Sequence, residues 1–251
     1  MINKREGEPI REVVNSTNLV DLLKKYKKDG LPSFEELPKN IDIGEKIKVM
    51  SDANVDVDEF DDGFSIDELA KELKYLTYSN NREYSIAVVM DTDDNVLLGP
   101  INEGDSNSVG IDAPVKQKET ISPSGLYVIR MDKIVSAIHS HPSEYSFSLQ
   151  DLFVHFSKED MMQLMVVKED GVVDLVQKTR DTQIISKETF VKLLSLWDTY
   201  LSPVGLPKEG IDKNEYNEFV SRLSNDALSV GFYSNRDNPN SSRLDRIIKS
   251  K

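Results

Sequence analysis

The chain has no cysteine in its 251 residues. That excludes disulfides, thiolate metal ligands and cysteine nucleophiles, so any metal must be held by His, Asp, Glu or water. Positive charge is also scarce: 31 Lys and Arg stand against 44 Asp and Glu, a net charge of −13. Nucleic-acid binding needs Lys and Arg clustered against phosphate, and no such stripe occurs, so no nucleic-acid partner is expected. No apolar run reaches the roughly 18 residues of a membrane span, which argues against a membrane partner. Met1–Arg11 is polar and mixed in charge, unlike a leader segment. A cytoplasmic protein is the expectation.

What is present is enough apolar residue, 38%, for one sizeable core with additions or for two small domains. Three parts are expected: an N-terminal helical and acidic appendage over 1–63, a compact domain over 64–180, and a helical extension with a polar tail over 181–251. In the first part Ser16 or Thr17 can cap a helix carrying Leu19, Val20, Leu22, Leu23 and Tyr26, which Gly30 and Pro32 end. The acidic run from Asp52 to Asp62 has Val57 and Gly63 where a calcium loop needs Gly and Glu, so it reads as a solvated linker.

The compact part opens on a capping box, Ser65 with Glu68, ahead of a helical face of Ile66, Leu69, Ala70, Leu73 and Leu76. Tyr84–Met90 reads as a strand, paired with Val96–Leu98 across the polar turn Asp91–Asn95. Val109–Ile111 reads as a weak strand, Gly125–Met131 as a strand or short helix, and Lys133–His139 as a central strand. A helix is expected over Ser148–Ser157, and a hairpin from Gln163–Val167 and Val172–Gln177. Helices follow over Thr189–Tyr200 and Lys213–Val230, and the tail Asn235–Lys251 reads as loose.

The three histidines, His139, His141 and His155, fall within 17 consecutive positions. His139 and His141 stand two apart at the end of an apolar strand, so their rings share a side and can converge on one ion. Ser148-x-x-Asp151 follows the loop after Pro142. Ser at an N-cap with an acid three residues on is a helix start in its own right. The same turn also brings Asp151 back toward the histidines. Two His and one Asp leave a fourth tetrahedral position for water, the pattern of a catalytic zinc site. His155, four residues after Asp151, lies on the same helical face, where it either bonds the aspartate from outside or simply packs.

His139-Ser140-His141-Pro142 followed by Ser148-x-x-Asp151 resembles the signature of the JAB/JAMM (MPN+) metallopeptidases over roughly residues 65–180. Asp151 comes ten positions after His141, where the family most often has eleven. Asn81-Arg82-Glu83-Tyr84 is similar to the strand start in the bacterial RadC-type branch, which fits a bacterial or phage source. The resemblance implies an α/β (α+β) fold, a mixed β-sheet flanked by helices in a cytidine-deaminase-like three-layer arrangement. It implies one Zn2+ per chain held by His139, His141 and Asp151, and an upstream glutamate acting on the water. Glu83 is the first choice and Glu103 the alternative. Ser148 would donate a hydrogen bond to the oxyanion. The implied reaction is peptide or isopeptide hydrolysis, possible substrates being ubiquitin-like or other protein C-termini. The alternatives are a catalytically inactive JAB-like scaffold and a RadC-like protein of other activity. An assembly partner could dock on the N- or C-terminal extension.

Overall fold

The structure, a computed structural model, describes residues 16–50, 63–121, 127–182 and 210–248. Its four described α-helices each begin on a side chain that satisfies otherwise unpaired amides. Asn18 accepts from Val20 and Asp21 at the head of α1 (Leu19–Asp29), which Gly30 ends with φ at 84°. Reciprocal capping boxes open α2 (Ile66–Asn80) at Ser65/Glu68 and α3 (Leu149–Ser157) at Ser148/Asp151. Asp212 caps α4 (Lys213–Arg222), which continues into a π turn over Leu223–Ala227.

Thirteen strands are described: β1 (Ser16–Asn18), β2 (Asn40–Asp42), β3 (Lys46–Val49), β4 (Phe64–Ser65), β5 (Tyr84–Met90), β6 (Val96–Glu103), β7 (Gln117–Ile121), β8 (Tyr127–Met131), β9 (Lys133–Ser140), β10 (Gln163–Val167), β11 (Val173–Gln177), β12 (Gly231–Ser234) and β13 (Arg243–Arg246). Eleven of them form one mixed sheet in the order β1-β2-β13-β12-β11-β10-β9-β5-β6-β3-β4, and β7 pairs with β8 in a separate ribbon. The fold is therefore mixed α+β.

Strand alternation divides the sheet's side chains between two faces. Ile86, Val88, Met90, Ile138, Met165 and Leu175 join the buried faces of α1 and α2 in one core. Ala137, Leu164, Val166, Val176 and Phe232 join Leu149, Leu152 and Phe156 of α3 and Tyr216 and Val220 of α4 in another. Helices thus cover both faces, and burial of these side chains supplies the main stabilisation.

Several expectations change. The described part of the N-terminal region shares the sheet and core of the rest: Leu19, Leu22 and Leu23 pack with Ile66 and Leu73, and β3 runs parallel to β6. Sheet and core therefore run across the expected boundary near residue 63. The tail is not loose over its described length, because β13 sits between β12 and β2, with Leu244 fully buried opposite Ile41. Val109–Ile111 forms no strand. Gly125–Met131 resolves into β8 over its described residues. The helix expected over Lys213–Val230 stops earlier, and Val230 leads into β12. Thr189–Tyr200 and the acidic run from Asp52 to Asp62 lie outside the described residues.

Candidate metal centre

β9 lies inside the sheet, antiparallel to β5 and parallel to β10. His139 is its penultimate residue, and His141 follows where its amide still donates to the Val167 carbonyl at 2.8 Å. The extended backbone thus carries through both positions, and both rings turn to the α3 side. Between them Ser140 turns to the other face. There its hydroxyl bonds Thr77 of α2 and accepts the Tyr84 amide at 3.0 Å, which fixes the strand end.

The capping box of α3 supplies the third group. Asp151 Oδ2 accepts from both the amide and the hydroxyl of Ser148 at 2.7 Å. Its Oδ1 stands 3.4 Å from His139 Nε2, and Oδ2 stands 3.3 Å from His141 Nε2. The two Nε2 atoms are 3.0 Å apart. Ligands about 2.0–2.1 Å from a tetrahedral ion are about 3.3 Å from one another, so this spacing fits a small metal ion. The buried His139–His141–Asp151 group could bind one, and it is the one cluster of this kind among the described residues. His141 Nδ1 faces the Tyr145 carbonyl at 3.3 Å. Donation there leaves Nε2 with its lone pair toward the centre, the tautomer a metal needs.

Burial and charge act against each other here. Burial pushes Asp151 up, but the two histidines outweigh it and hold the carboxyl well below its usual range. Burial pushes His141 down, and Asp151, with Glu83 behind it, raises it above its ordinary value.

Of the two candidate glutamates, Glu83 lies at the centre. It precedes β5 and is 7% exposed. The Ser85–His139 pairing, continued outward by two residues, sets Glu83 opposite His141 on the same face. Its backbone is pinned on both sides, the amide to Asp105 and the carbonyl from Gly104. Burial raises its carboxyl above the usual range, partly offset by the two histidines. Glu103 is half exposed and paired with Arg82, and it is not among the residues lining the cleft. The cleft, about 870 Å³, is lined by Glu83, His139, His141, Ser148 and Asp151, and on its far wall by residues 106–112. That wall carries no residue type a sequence reading would single out.

His155 is not joined to the centre. It is fully buried, and among the described residues neither ring nitrogen has a hydrogen-bond partner. Burial, then the Lys178 ammonium, holds it well below its usual value. It lies on the buried side of α3. The Ser148 hydroxyl donates to Asp151 Oδ2 and so holds that carboxylate.

No family model, curated protein or solved structure matches the chain. Among the described residues no helix is long and apolar enough to cross a membrane.

Proposed function

We propose that the chain is a zinc-dependent hydrolase of peptide or isopeptide bonds, of the JAB/JAMM kind that its His-Ser-His-Pro and Ser-x-x-Asp segments resemble. The observation that carries this reading is the convergence of His139, His141 and Asp151 beside a buried carboxylate, Glu83, in one open cleft. When bound there, zinc supplies Lewis acidity that lowers the pKa of water to about 7.

The chain's own residues do the rest. Glu83, raised in pKa by burial, holds the proton taken from water and returns it to the departing amine nitrogen. Water's oxygen ends on the carbonyl carbon as the C–N bond breaks, and a carboxylate and an amine leave. Ser148 holds Asp151 in place; its hydroxyl reaches an oxyanion only by opening its bond to Oδ2. A protein C-terminus is the proposed substrate, on the strength of the resemblance.

Metal analysis of purified protein tests the reading and should find about one zinc per chain. Cleavage of linear and lysine-linked C-terminal fusions should stop on chelation. Glu83→Gln should keep zinc and lose about 10²–10⁴-fold in turnover. Protein without zinc, and with stability indifferent to chelator, would instead be a scaffold.

A further inference from the structure

We propose that α4 is a positioning element of the metal centre, and that Asn217 is its principal residue. This inference rests on the metal reading above. The loop 142–147 connects His141 to Ser148 and so spaces the strand end that carries both histidines from the helix that carries Asp151. Such a loop would ordinarily be the softest part of a site. Here it is tied at successive residues to α4 and the segment entering it.

Asn217 makes the central tie. Its carbonyl oxygen accepts the Ser146 amide at 2.7 Å, and its amide nitrogen donates to the Glu144 carbonyl at 3.1 Å. One side chain thereby satisfies two backbone groups two residues apart, as a neighbouring strand would. The Lys213 ammonium, one turn earlier on the same helical face, pairs with the Glu144 carboxylate. The Tyr216 hydroxyl donates to the Phe147 carbonyl at 3.1 Å, and the Tyr145 hydroxyl donates to the Ile211 carbonyl at 3.0 Å. On the other flank the Glu169 amide donates to the Ser143 carbonyl at 2.9 Å.

The tied loop reaches the ligands directly. Its Tyr145 carbonyl faces His141 Nδ1, and its Phe147 ring lies 6.4 Å from that of His139. Its last residue hands over to Ser148, the group that holds Asp151. Ser146 is fully buried, so its amide has no water to turn to if Asn217 is removed. Releasing the loop would let His141 rotate and Ser148 drift, without touching any ligand.

Two variants separate this from a general loss of stability. Asn217→Ala removes both ties. Ser224→Ala removes a buried hydroxyl bond to Val220 in the adjoining π turn and leaves the loop alone. Amide exchange in the zinc-free chain should be at least about tenfold faster at Ser146 in Asn217→Ala and unchanged in Ser224→Ala. Zinc affinity, read by chelator competition, should fall about 10–100-fold in Asn217→Ala and stay within about twofold in Ser224→Ala. Should Asn217→Ala not fold, Tyr216→Phe carries the same pair of measurements with a loss of several fold. Equal zinc affinity in folded Asn217→Ala and wild type overturns the positioning role alone. A wild-type chain that takes up no zinc overturns the functional reading and this role together.

Discussion

The chain uses one local device twice. Ser65 with Glu68 opens α2, and Ser148 with Asp151 opens α3, each as a reciprocal capping box. The hydrogen bonds are nearly superimposable in kind: in each, one carboxylate oxygen accepts the amide and hydroxyl of its serine. Yet Glu68 faces solvent, and its carboxyl is lowered mainly by the Ser65 amide. Asp151 faces His139 and His141, and they hold it well below the usual range against the opposing push of burial. The helix that follows each cap differs in the same direction. The buried side of α2 is Ile66, Leu69, Ala70, Leu73 and Thr77, whereas that of α3 includes His155. A cap specifies where a helix starts; what stands across from it decides whether the capping acid joins a group that could bind a metal ion.

That contrast is sharpest in the acids themselves. Asp151→Asn should weaken zinc binding at least about a hundredfold, more than the loss typical of a supporting residue. Glu68→Gln should leave zinc binding unchanged, and isothermal titration on both variants decides it. Equal loss in the two would mean that the metal site is not where the ligand atoms converge.

The next largest effect lies beneath the caps. Leu73→Ala and Leu152→Ala each empty a fully buried position and should each cost about 2–5 kcal/mol in urea unfolding. Only Leu152→Ala, under the site, should also lower zinc affinity. A loss of affinity in both would show that the two faces are mechanically coupled through the sheet.

A smaller, pH-dependent effect belongs to α3 alone. His155 is held below its ordinary 6.5 by burial and Lys178. The unfolded chain takes up a proton near that value and the folded chain does not. Stability from this group is therefore full above about pH 6.5 and falls as pH drops below it, by up to about 1.4 kcal/mol per pH unit. His155→Leu should flatten that fall when unfolding is followed between about pH 7.5 and about pH 5. An unchanged slope would place the acid sensitivity elsewhere.

The smallest expected effect is the most discriminating. Ser65→Ala and Ser148→Ala should each cost about 1 kcal/mol of stability as lost caps. Zinc affinity should fall about tenfold in Ser148→Ala, where the serine holds a ligand, and not at all in Ser65→Ala.

What could be read in advance follows the range of the interaction. α2, β5, β9 and α3 are legible because their periodicity and caps are written within a few residues. The pairing of His139 with His141 is legible for the same reason, since period two is a property of one strand. Glu83 ranks above Glu103 only through the resemblance, because both stand near the ends of the same hairpin and local pattern does not separate them. β13 was missed because a four-residue strand, Arg243–Arg246, with one buried residue has no readable period, and its neighbour β2 lies some 200 residues earlier.

The sequence by itself determined the two-residue histidine spacing and the serine-capped turn that presents Asp151, because backbone geometry and local hydrogen bonding fix both. Only the tertiary structure decided that Glu83 rather than Glu103 shares the cleft with the histidines, that His155 is buried, and that Asn217 grips the loop between His141 and Ser148. Those outcomes depend on strand register and helix docking between segments far apart in the chain. Such contacts are set by the best joint burial of apolar faces, and no short stretch of residues encodes that optimum.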